Sequence, residues 1–144
     1  MAVLGAGALY FAIVFVIAFG FGVLRTLLLE PLLGETLAVA CEVPFLIAAF
    51  VFAARFVLRR FTSVRGAASL LAMGVIALVL QQSAELAMVM LSGQTLQSHL
   101  AYLSTLAGRL YLSAVVVFVL APLALAPRRQ RKSADRGSGP RSVE

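Results

Sequence analysis

A chain of 144 residues that is 62% hydrophobic and only 12% charged, with a mean hydropathy of +1.02, lies outside the range of soluble domains. That composition belongs to a membrane protein, and the length allows one domain with no separate soluble catalytic module. The net charge of +6 sits almost entirely in one short loop and the C-terminal tail, which excludes the basic helix or sheet face of a nucleic-acid-binding domain.

The first apolar run, Ala2 to Leu24, carries no charge until Arg25. It lacks the basic n-region of a secretory signal and exceeds the usual ~7–15 residue signal core, so it reads as an uncleaved transmembrane helix. The segment from Arg25 to Glu35 is too short to span and contains Pro31 and Gly34, which predicts an interfacial turn or short helix. The second span runs from about 37 to 58. Pro44 lies inside it and removes a backbone donor, so the helix either kinks or begins there. Arg55, Arg59, Arg60 and Arg65 crowd its far end, and Thr62 or Ser63 is the expected N-cap of the next helix.

The third span, about 67 to 91, is uncharged except for Glu85. After a polar stretch, Leu96, Leu100, Leu103 and Leu110 fall near one helical face, which predicts an interfacial helix leading into the fourth span, about 104 to 126. The tail, 127 to 144, holds Arg128, Arg129, Arg131, Lys132, Arg136 and Arg141 among Ser, Gly and Pro, and cannot bury a core. The domain division is thus a four-span unit over 1–126 and a basic, disordered tail.

The loop between the second and third spans and the tail hold ten of the twelve Lys and Arg. By the positive-inside rule both termini and that loop are cytoplasmic. The expected fold is an all-α integral membrane four-helix bundle, with Arg55, Arg59, Arg60, Arg65, Arg128 and Arg129 as topology determinants.

Arg25, Glu42, Glu85 and Arg109 then fall at a similar depth near the opposite surface. Intramembrane ionisable groups are costly unless paired or wet, and they mark functional sites. Gln81, Gln82 and Glu85 share one face by their i,i+4 and i,i+3 spacing, with Gly74 and Ala77 near it to admit a neighbouring helix. Tyr102, Thr105, Arg109 and Ser113 form a similar stripe if the fourth helix is continuous. Turned inward, the two stripes would bring Glu42 and Glu85 to Arg25 and Arg109, with Gln81, Gln82, Thr105 and Ser113 as polar lining. The cluster either locks helix register or lies on a solute or proton path.

Other residues have plainer readings. Cys41 is the only cysteine and His99 the only histidine, so no Cys/His metal cluster forms. Cys41 reads as a small packing residue, and Tyr10, Tyr102 and Tyr111 as interfacial anchors where depth permits. Ala18/Gly22 and Ala49/Ala53 are small-xxx-small pairs that can mark contact faces. There is no Ser-His-Asp pattern, metal spacing or Gly-rich phosphate loop, so neither an enzyme nor a cofactor is expected.

The stretch Gly22-Val-Leu-Arg25-Thr-Leu-Leu-Leu-Glu-Pro31-Leu-Leu-Gly34-Glu35, followed by Glu42-Val-Pro44, resembles a group of small bacterial four-helix inner-membrane proteins. These carry an arginine, a proline-glycine-glutamate loop and a Glu-x-Pro in the same order. The resemblance covers roughly the first half of the chain, and it implies a bacterial inner membrane but no named activity. The small multidrug exporters carry their essential carboxylate in the first helix, where this chain has none.

The expected function is that of a non-enzymatic multi-pass subunit in a lipid bilayer, accessory to or binding a membrane protein partner. The competing expectation is a small homo-oligomeric, proton-coupled transporter or channel using Glu42 and Glu85.

Overall fold

The computed structural model describes residues 1–93 and 95–125, with the His99 side chain also left aside. Gln94, the end of the fourth span and the whole tail, with Arg128 and Arg129, lie outside the described residues. The described residues are helical apart from short turns and connections. Four helices are long and apolar enough to cross a membrane: α1 (Ala2–Leu33), α2 (Glu35–Arg60), α3 (Ala67–Leu91) and α5 (Leu106–Ala124). The short α4 (Leu96–Leu103) precedes the last of them.

The first helix does not stop at Leu24. It passes through one π-helical turn, Arg25–Leu29, and regains α geometry over Glu30–Leu33. Gly34 ends it with φ +76° and ψ 161°. That backbone region is essentially closed to any residue with a Cβ. No atom lies within 4 Å of a Cβ built at Gly34, so Gly34→Ala tests backbone strain alone. It should lower stability by about 1–3 kcal/mol, read as a shift in detergent-unfolding midpoint.

Gly66, at φ 95° and ψ 147°, provides the N-cap of α3 in place of the Thr62 or Ser63 expected from sequence. Helix α2 runs unbroken through Pro44, which lies on its exposed face, and ends on Arg59 and Arg60. Cations in a last helical turn complement the helix dipole.

Threonine caps separate α4 from α5. The Thr95 hydroxyl accepts from the Ser98 N–H, and the Thr105 hydroxyl accepts from the Gly108 N–H. Each satisfies a backbone donor that has no partner inside its helix. The fourth long helix therefore begins at Leu106. Gly108 permits the sharp join, because a Cβ there would sit 2.2 Å from the Tyr102 carbonyl oxygen.

The four long helices form a ring. Helix α1 packs on α2 and α3, and α5 packs on the same two, so α1 and α5 occupy opposite corners. Small residues set the approach, as in membrane bundles generally. Ala6, Ala53, Ala54 and Ala77 are fully buried, and Ala49 is nearly so. At Gly74 the backbone of α5 fills the place of a side chain, with the Val119 carbonyl oxygen 2.2 Å from an ideal Cβ. The expected close approach at Gly74 and Ala77 is present.

Tyr10 crosses the ring. Fully buried rather than interfacial, it stacks on Phe118 with ring centroids 4.8 Å apart, and its hydroxyl donates to the Phe118 carbonyl at 2.9 Å. That carbonyl would ordinarily accept from the N–H four residues on, but that residue is Pro122, which has none. Phe50 closes on the other side of Phe118 at 5.2 Å. Large side chains such as Phe19, Phe45, Phe52, Val79, Met90 and Val116 stay exposed around the ring. Such an outer surface suits hydrocarbon.

Candidate functional site: a cavity at the Arg25 end

Above the Tyr10–Phe118–Phe50 layer, at the end away from the Arg60 loop, the four long helices part around a cavity of about 530 Å³. Pockets for small ligands fall between ≈ 300 and 1,000 Å³. Val14, Phe50 and Phe118 line its deep end, and Arg25 and Thr26 line the other. Val14 and Arg25 are eleven positions apart, which corresponds to a depth of roughly 16 Å. Most of the wall is apolar and aromatic. Its polar side chains are few: Arg25, Thr26, Glu42, Gln81, Glu85 and Tyr111.

Two separate polar clusters stand on this wall. In the first, the Arg25 Nε lies 3.4 Å from Glu30 and 3.4 Å from Glu42. Glu42 is 8% exposed, and Arg25 and Glu30 are partly exposed. The π-turn creates the first contact. Residues five apart lie on different sides of an α-helix, whereas i→i+5 geometry stacks them, and the Glu30 N–H does bond the Arg25 carbonyl. Tyr102 of α4 also reaches this arginine; burial pushes its phenol above the ordinary value, and Arg25 pulls the other way.

In the second cluster, the Tyr111 hydroxyl donates to Glu85 at 2.5 Å, with Gln82 Oε1 at 3.2 Å. The Gln81 amide donates to the other Glu85 oxygen at 2.9 Å. The Gln81 carbonyl oxygen is buried without a donor. No basic side chain among the described residues pairs with Glu85 within 4 Å.

The four charges of the sequence reading are therefore not brought together. Arg25 and Glu42 pair, and Glu85 shares their cavity, but Arg109 is exposed and makes no ion pair among the described residues. The break at Ser104 disrupts the stripe that would have carried Arg109 inward. Thr105 spends its hydroxyl on capping, and Ser113 is exposed and donates to the Leu110 carbonyl of its own helix. Neither lines the cavity, and Gln82 is exposed at its edge. Arg55, Arg59 and Arg60 lie at the opposite end on α2, with Arg65 in the loop beyond. Cys41 is exposed rather than packed.

Tyr111, read from sequence only as an interfacial anchor, is a cavity side chain bonded to Glu85. The available signal was its spacing: Tyr111 lies two residues beyond Arg109, on the buried side of α5 near Ala107, Gly108 and Ala114. Compared with protein families, curated proteins and solved structures, the chain matches none.

Proposed function

We propose that this chain is a non-enzymatic four-span protein of a bacterial inner membrane, with both termini cytoplasmic, that binds a small solute in the Arg25-end cavity and carries it. The observation that supports this most is that Glu42 and Glu85, from different helices, face one cavity while only Glu42 has a cationic partner among the described residues. A self-neutralising lock would use both arginines, and Arg109 is turned away. The helix lengths suit the membrane reading, since even the 19 residues of α5 reach about 28 Å against a hydrocarbon core of ≈ 30 Å. The basic loop at the other end supports the orientation.

In this reading the Tyr10–Phe118–Phe50 layer is the closed inner gate of an outward-facing carrier, and Glu42 or Glu85 exchanges a proton for the solute. Four helices leave a narrow interior, which favours a homo-oligomer. The test uses purified protein in vesicles containing a pH-sensitive dye, challenged with cationic, neutral and anionic amphiphiles. Solute-driven proton movement should fall at least tenfold in both Glu42→Gln and Glu85→Gln. Unchanged flux in the two variants sinks the carrier.

Arg109 favours a second reading, an accessory subunit. An exposed guanidinium near the start of a membrane helix suits a carboxylate on a partner's helix as well as a lipid phosphate. Native mass spectrometry after gentle extraction separates the two. A stoichiometric foreign subunit that is lost in Arg109→Glu supports the accessory role; a clean homo-oligomer in both supports the carrier.

A further inference from the structure

We infer that the cavity is a site for protonated amines attached to an apolar or aromatic body. The inference rests on reading the cavity as a solute site, and it adds the ligand's chemical class. Two features of the wall select the charge, and a third selects the kind of cation. Arg25 stands beside two carboxylates, Glu30 and Glu42, each 3.4 Å from its Nε, so an anion approaching it meets more negative than positive charge. Glu85 faces the same space with hydrogen-bond donors but no cation beside it among the described residues. Desolvated charges are paired or neutralised, and an incoming cation supplies the missing partner.

The third feature selects the kind of cation. Gln81 directs its amide N–H to Glu85, which leaves its buried carbonyl oxygen without a donor. An ammonium N–H between Glu85 and Gln81 would satisfy both, whereas a quaternary ammonium has no proton for the amide. The rest of the cavity fits the body of such a ligand. Phe15, Phe19, Phe50 and Phe118 line it, and aromatic faces attract cations and pack apolar groups alike.

The wall also offers a clean way to close the site. Gly22 lines the cavity, and a Cβ there meets nothing within 4 Å. Gly22→Leu therefore starts its side chain in open space on the cavity wall, and it leaves every charge in place.

Equilibrium dialysis against protein in lipid nanodiscs, with empty nanodiscs subtracted, tests the class. The probes are 4-phenylbutylammonium, its N,N,N-trimethyl analogue, 4-phenylbutanol and 4-phenylbutyrate. The primary ammonium should saturate at one per chain, at least tenfold more tightly than the alcohol or the carboxylate. The trimethyl analogue should bind several-fold more weakly. Glu85→Gln should weaken the ammonium at least tenfold, and Gly22→Leu should abolish its binding while keeping the helical circular dichroism of the parent. Equal or tighter binding of the carboxylate or alcohol overturns the ligand class, even if flux assays support a carrier. Ammonium binding unchanged in Gly22→Leu overturns the location. Saturable, Gly22- and Glu85-dependent binding without any transport supports the site and removes the carrier reading instead.

Discussion

Replacing Gly74 by alanine destabilises the bundle by about 3 kcal/mol, the upper end of the usual overpacking cost, although it adds one methyl group and touches no charge. The methyl carbon would sit 2.2 Å from the Val119 carbonyl oxygen and 3.1 Å from its carbonyl carbon. Neither atom is at the end of a flexible side chain, so relief requires α3 and α5 to separate by about 1 Å to reach ordinary contact. The separation would propagate, because Phe118, next to Val119, carries the stack with Tyr10. Gly20→Ala is the matched control. A Cβ there meets nothing within 4 Å, so the same substitution should gain up to about 1 kcal/mol from helix propensity. Unfolding in mixed micelles, followed by circular dichroism, gives both values. Equal behaviour of the two variants would mean that α3 and α5 do not touch at Gly74.

Removing the Tyr10 hydroxyl has the second large effect, and its size depends on a residue more than a hundred positions away. Tyr10→Phe leaves the Phe118 carbonyl buried with no donor, since Pro122 offers no N–H. An orphaned buried acceptor costs about 1–3 kcal/mol. In a Pro122→Ala background the new amide N–H can take that carbonyl, so the same Tyr10→Phe change should cost less than about 1 kcal/mol. The small cavity left by Pro122→Ala is common to both arms of the double-mutant cycle and cancels. A Tyr10→Phe cost that is the same in both backgrounds would show that the hydroxyl matters for some other reason.

These two contacts explain what could be read from the sequence. The four long helices were legible because each is a long apolar run, and the short helix before α5 because its leucines recur at helical spacing. Arg25 beside Glu42 followed from their shared depth at the ends of consecutive helices. Arg109 did not follow, because whether it points inward depends on where α5 starts. Thr105 sets that start by capping, and a continuous helix through Ser104 satisfied the same pattern. Tyr10 carried a signal that was passed over. A hydroxyl in the middle of an otherwise apolar run needs a partner, and a proline near the end of another helix leaves an acceptor free. Sequence distance conceals the match, and only the ring order of the helices brings the two together.

The π-turn at Arg25–Leu29 has a consequence for chain length. It accommodates one residue more than an α-helical path would across the same stretch. Deleting a single residue there, Leu28 for instance, would let the helix close as regular α geometry without disturbing Ala2–Leu24. The residues after the deletion would keep their places, because the π-turn is what absorbs the extra residue. Glu30 would then stand four positions after Arg25, the spacing that keeps two side chains on one face of an α-helix. The pairing of these two side chains thus tolerates one residue more or fewer, because the π-turn comes and goes with the difference. A relative one residue shorter in this turn would keep its arginine between the same two carboxylates.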